Sequence, residues 1–151
     1  IRMRLVGSEM CIRDRPEDYS GHNRILVEGG VPVSAGENLH TIYVFQHMVQ
    51  ANGVSFIEPD VSNCGGITVW MKVAKLAEAK NLPVTSHGVH DIHVHLLGAV
   101  PNASYLEVHG FGLERFILEP LVVKDGFALA GEAPGHGIDF NWDGLCAHTS
   151  D

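Results

Sequence analysis

The chain has 151 residues, about one ordinary domain, and 45% of them are apolar, enough for a packed core. Its formal charge is −8 with ten histidines taken as neutral, which leaves no Lys/Arg surface for phosphate backbones and argues against nucleic acid as a partner. No apolar run approaches the roughly 20 residues that span a bilayer, and three cysteines without paired spacing, Cys11, Cys64 and Cys146, read as free thiols of a reducing, cytoplasmic compartment.

Residues 1–15 (IRMRLVGSEMCIRDR) are Arg-rich and lack the apolar centre of a signal peptide. They resemble a translated sequencing-adapter tail and are set aside as non-native; the plainer reading is a disordered basic N-terminus. A first residue of Ile rather than Met suggests a piece of a longer protein. From residue 31 the sequence alternates. Residues 31–36 (VPVSAG) form a short β-type run. His40 to Ala51 carries apolar side chains at 42, 44, 45, 48 and 49, a helical period. Val54 to Ile57 is the next strand. Gly66 to Lys80 has apolar residues at 67, 69, 70, 73, 74, 76 and 77, a buried helical face that takes in Trp70. Leu82 to Thr85 is a third strand, Ile92 to Val100 a short helix stopped by Pro101, and Ala103 to Leu106 a fourth strand.

Strands spaced by about 20–30 residues, with a helix between each pair, follow the βαβ rhythm of a parallel sheet. An open doubly wound sheet and half of a (β/α)8 barrel both fit, although no G-x-G-x-x-G follows a strand. The tail departs from this rhythm. Phe116 to Leu121 and Phe127 to Ala130 flank Lys124-Asp125-Gly126, the pattern of a β-hairpin, and residues 134–137 (PGHG) form another turn.

Each strand is followed by an ionisable residue: Glu37, Asp60, His87 and Glu107 in order. In a parallel barrel the carboxyl ends of the strands open on one face, where active sites lie, and neighbouring tips are about 4.8 Å apart. Asp60 and His87 sit on neighbours, so a carboxylate–imidazole hydrogen bond is expected. Such a bond fixes the tautomer and leaves the other ring nitrogen able to take or return a proton. Glu37 is a hard oxygen ligand suited to Mg2+, and Glu107 can face a substrate oxygen, donating to it only when protonated. Together they describe proton abstraction beside a carboxylate, with a metal stabilising the enediolate. Taken singly, an Asp or Glu after a strand is most often a helix cap or a solvated residue, and a His there is most often structural; the recurrence on successive strands carries the reading. Asn38 and His90 are candidates to line the same pocket.

Two other patterns are weaker. Asp91-x-His93-x-His95 has the spacing of an amidohydrolase metal strand but comes late and runs into a helix, so exposed or partly buried helix histidines are the expectation. Residues 63–66 (NCGG) precede a helix N-terminus and read as a tight turn before they read as an anion cradle.

The motifs SAGEN (34–38), EPDVSNCGGIT (58–68), SHGVHDIHVHLLGAVPNASYLE (86–107) and PGHGI (134–138) resemble the mandelate racemase group of the enolase superfamily over about residues 17–145. The resemblance implies a capping domain plus a modified TIM-type barrel. About four C-terminal strand–helix units are expected over residues 16–115, and a hairpin tail over 116–151 that packs on the capping domain. It implies Mg2+ held by three carboxylates. Glu37 would be the third, with the other two expected upstream of residue 16. It further implies His87 as acid/base, Asp60 as its partner and Glu107 as the group facing the substrate carboxylate. This metal-with-His chemistry is the general pattern of that superfamily. The expected activity is that of an acid-sugar dehydratase, with a 2-hydroxy-acid racemase or epimerase as the alternative and a catalytically dead or truncated module as the second. The substrate is then a small hydroxy-carboxylate or sugar acid and the parent enzyme a homo-oligomer. The chain alone, with one metal carboxylate, is expected to be inactive.

Overall fold

The computed structural model describes residues 15–109 and 113–148. The odd N-terminal stretch up to residue 14, with Cys11, lies outside the described residues. Helix α1 spans Tyr19–Gly29, an element that sequence periodicity did not reveal. Asp18 begins it by accepting from Gly21 N at 2.9 Å, and Gly30, in the left-handed region at φ 64°, ends it. Its weak propensity at Gly21, His22 and Asn23 is overridden by docking. Asn23 Nδ2 donates to Asn52 O at 3.0 Å, and His22 is buried.

Four parallel segments follow, in chain order across one ladder. Strand β1 (Ser34–Ala35) pairs in parallel with β2 (Phe56–Ile57), Ile57 bridges to Val84, and Val84 bridges to Ala103. The third and fourth segments are therefore single rungs rather than the full strands expected. Pro83 has no N–H to donate, so Val84 N is the first of its segment to join, giving 2.9 Å to Asn102 O, while Thr85 N gives 2.9 Å to Ile57 O.

Helices α2 (Thr41–Gln50), α3 (Ile67–Glu78) and α4 (His90–Gly98) cover the ladder. The first two match the expected periods to within a few residues. The last begins two residues earlier than expected, because His90 and Asp91 join its first turn. The core is the face that these periods marked: Phe45, Met48, Trp70, Val73, Ala74 and Ala77 against Val33, Ile57 and Val84, all buried. The Trp70 indole N–H, which cannot be buried unpaired at low cost, donates to Pro59 O at 3.1 Å.

The tail forms a 3-10 turn (Leu113–Phe116), an antiparallel hairpin of β3 (Val122–Lys124) and β4 (Phe127–Leu129), and a short helix α5 (Trp142–Cys146). The hairpin is where Asp125-Gly126 placed it, but its first strand starts at Val122 instead of Phe116. The front of the expected run goes elsewhere: Ile117 pairs with Phe140, and Leu118 N donates to Asp139 O at 2.9 Å. Asp125 and Gly126 have φ of 52° and 80°, the two positive values that a two-residue type I′ turn requires. Cys64 is buried and Cys146 exposed, and no helix among the described residues is long and apolar enough to cross a membrane.

Candidate active site

The parallel rungs point their carboxyl ends to one side, and Glu37, Asp60, His87 and Glu107 each follow one of them. Asp60 and His87 meet: His87 Nδ1 lies 3.0 Å from Asp60 Oδ2. Their side chains are 7% and 23% exposed, so the pair sits at the rim of the core with the imidazole outermost. Asp60 Oδ1 accepts from Ser62 N at 2.7 Å and Ser62 Oγ at 2.6 Å. Burial opposes its charge, but the hydrogen bonds from His87 and Ser62 prevail and hold its carboxyl at about 2. The His87 imidazole is raised to about 9, first by its bond to Asp60, against burial, with the negative charges of Glu107, Asp60 and Glu37 adding to it. The resting pair is thus an imidazolium and a carboxylate.

Gly88 makes the pair possible. Its φ is 63°, and a Cβ there would stand 2.9 Å from Asp60 Oδ2, where only hydrogen fits. Its N–H donates to Glu107 Oε2 at 3.0 Å, drawing Glu107 to the same mouth. Glu107 is further fixed by Ser86 Oγ, which accepts from Glu107 N at 3.1 Å. Glu107 Oε2 also lies 2.6 Å from His109 Nε2, and the His109 ring meets that of His87 edge to face at 5.1 Å.

Glu37 is half-buried, its Oε1 receiving Asn38 Nδ2 at 2.8 Å while Asn63 Nδ2 donates to its carbonyl at 3.2 Å. Asn38 thus touches Glu37 rather than the dyad. Among the described residues Glu37 belongs to no group of three or more possible ligands. A single carboxylate does not by itself fit the octahedral demand of Mg2+. The His90 ring turns to Asp91, at 3.4 Å, while Asp91 Oδ1 accepts from Leu121 N at 3.1 Å.

His93 corrects an expectation. It is a wholly buried residue, not an exposed or partly buried helix histidine. Its Nε2 accepts from Val61 N at 3.1 Å and its Nδ1 donates toward Gly88 O and Val89 O, each at 3.1 Å. Burial lowers its pKa and keeps it neutral, in the tautomer these bonds demand. It ties the loop after Asp60 to the loop after His87, which braces the dyad from beneath. Ser62, Gly88 and His109 also escaped the sequence reading. Two signals were present: Asp-x-Ser favours a side-chain turn onto the residue two further on, and Glu-x-His on a strand puts both side chains on one face.

A parallel ladder under helices, with a carboxylate–imidazole pair at its carboxyl ends, is the architecture of barrel enzymes that move protons. The chain belongs to the enolase C-terminal domain-like family, which it matches over residues 14–144. It is 49% identical over 130 residues to the 3,6-anhydro-alpha-L-galactonate cycloisomerase of Streptomyces coelicolor, covering 86% of this chain and 36% of that protein. Among solved structures it resembles a racemase from Streptomyces coelicolor with bound magnesium. That likeness has a TM-score of 0.83 and 46% identity, over 87% of this chain and 36% of the other. It also resembles an L-talarate dehydratase from Polaromonas sp. JS666 complexed with Mg and L-glucarate, with a TM-score of 0.77 and 30% identity, over 83% and 35%. The chain therefore spans little more than a third of the length of these relatives; both of the solved structures hold magnesium, and one of them is a dehydratase.

Proposed function

We propose that the whole protein abstracts the proton beside the carboxylate of a sugar acid and then expels an oxygen from the neighbouring carbon, as an acid-sugar dehydratase does. The observation that carries this reading is the 3.0 Å bond between His87 Nδ1 and Asp60 Oδ2 at the open end of the ladder. Asp60 keeps the ring oriented with Nε2 outward, and Nε2 handles the proton. In the resting chain the ring is in its acid form, able to protonate a leaving hydroxyl. The base form appears above about pH 9, or once a cation offsets the carboxylates around it. Glu107, held by Gly88, faces a substrate oxygen. Glu37 takes one position on Mg2+, which when bound supplies positive charge against the substrate carboxylate. Among the described residues Glu37 joins no group of three possible ligands, so we expect the 151-residue chain alone to bind Mg2+ weakly and to be inactive. The free, buried thiol of Cys64 suits a cytoplasmic enzyme, and a homo-oligomer is the form we assign to the whole protein.

A second reading is favoured by the relative that is 49% identical. If the expelled oxygen is the ring oxygen of an anhydro sugar acid, the same first step ends in isomerisation with no water lost. Return of the proton to the α-carbon instead gives racemisation. The test incubates the whole protein with Mg2+ and a panel of aldonates, aldarates and anhydro sugar acids in D2O. Deuterium entering the α-position in the wild type and not in H87N supports His87 as the base. Exchange at an undiminished rate in H87N overturns it. Product mass then separates dehydration, which loses water, from ring opening and racemisation, which do not.

A further inference from the structure

We propose that His87, Glu107 and His109 also form an inhibitory cation site, separate from the hard-oxygen position at Glu37 and selective for a borderline transition-metal dication such as Zn2+ or Co2+, whose binding withdraws His87 Nε2 from the proton transfer proposed above. One ligand atom from each of the three lies within 4.8 Å of the others, with the side chains half-buried. Two imidazoles and one carboxylate are a donor set that Zn2+ and Co2+ take readily and that Mg2+, which wants oxygen and water, does not.

The site is built rather than accidental in three respects. Asp60 occupies His87 Nδ1 at 3.0 Å, so the free ligand nitrogen is Nε2, and the carboxylate behind it is the outer support that metal-binding histidines ordinarily have. Glu107 is oriented by Gly88 N at 3.0 Å and its backbone by Ser86 Oγ at 3.1 Å. His109 Nε2 already lies 2.6 Å from Glu107 Oε2, so the two can turn toward one ion. The three atoms then spread to the roughly 3.3 Å spacing that tetrahedral bonds of about 2.0–2.1 Å impose. Side-chain exposures of 23% for His87, 23% for Glu107 and 22% for His109 leave the fourth position to water.

The test uses the 151-residue chain, stripped with a chelator and then dialysed, at about pH 8, where a metal competes with protons for its ligand atoms. Co2+ is followed by its visible absorption and Zn2+ by calorimetry, both with Mg2+ in large excess. One equivalent should bind undisturbed by Mg2+, with the intense absorption of a four-coordinate cobalt site. H87A and H109A should each weaken it by at least about tenfold, while H40A and the double variant C11S/C146S leave it unchanged. Far-UV circular dichroism reports whether each variant folds; H109Q, which keeps size and polarity but loses the ring nitrogen, replaces H109A if that one does not. Absence of saturable binding, or affinity unchanged in H87A and H109Q, overturns the proposal. The readout involves no substrate, so its failure leaves the proton-transfer reading standing.

Discussion

Replacing His87 by Asn in the whole protein should lower kcat by at least about 10²-fold, because general acid–base catalysis contributes on that scale. D60N should do the same with a smaller effect on substrate affinity, since it removes the partner that orients the ring. Steady-state kinetics on both variants checks this. The pair also sets a pH window for stability. The His87 value is raised from 6.5 to about 9, so its contribution is complete below 6.5 and is lost as pH climbs through 9. The Asp60 value is lowered from 3.8 to about 2, so its contribution is complete above 3.8 and is lost as pH falls through 2. Urea midpoints measured in chelator should therefore be highest between those windows, and H87Q should flatten the alkaline limb. Gly88→Ala should resemble D60N in its effect, because the added methyl group meets Asp60 Oδ2 in a backbone region that strains alanine.

At the scale of elements, α3 and α4 hold the tips in place from below. Trp70→Ala empties the centre of the core and leaves Pro59 O without its donor, a cost of about 3–5 kcal/mol in urea unfolding. His93→Leu keeps most of the volume but strands Val61 N, at about 1–3 kcal/mol. It also unties two loops, so the His87 titration followed by NMR should move back toward 6.5; a purely structural role for His93 would leave that titration in place. The helices α2 and α3 were legible because Phe45, Met48, Trp70, Val73 and Ala77 recur at a helical period. The order of Glu37, Asp60, His87 and Glu107 was legible because each ends a β-type run. Helix α1 was not, since its stability comes from Asp18 capping and from docking against the Asn52 turn rather than from an apolar stripe. His93 was missed for a related reason: a polar residue buried by paired bonds looks, in sequence, like a polar residue at the surface. His109 was a matter of counting by two from Glu107.

For the whole molecule, the apolar groups left at the surface matter most. Val122, Phe127 and Leu129 of the hairpin are 55%, 50% and 61% exposed, with Trp142 nearby in sequence at 66%. Among the described residues no further strand pairs with the outer edges of β1 and of the Ala103 segment. The isolated chain should therefore associate with itself as concentration rises, which sedimentation velocity will show as a growing average mass. Lys substitution at Val122 and Leu129 should reduce that growth without altering the far-UV spectrum. Calorimetry with Mg2+ alone should show no tight stoichiometric binding; a sharp one-to-one isotherm would contradict the ligand count at Glu37.

One consequence of the ladder concerns how a preparation is judged. Asp60 and His87 stand on rungs joined at a single bridge, Ile57 to Val84, with Thr85 N bonded to Ile57 O. A slip of one residue between those rungs would turn successive side chains to opposite faces and part the imidazole from its acid. The shared proton of this couple is thus an internal gauge of alignment. A strongly deshielded His87 Nδ1–H resonance certifies that the sheet has assembled in register before any assay is run.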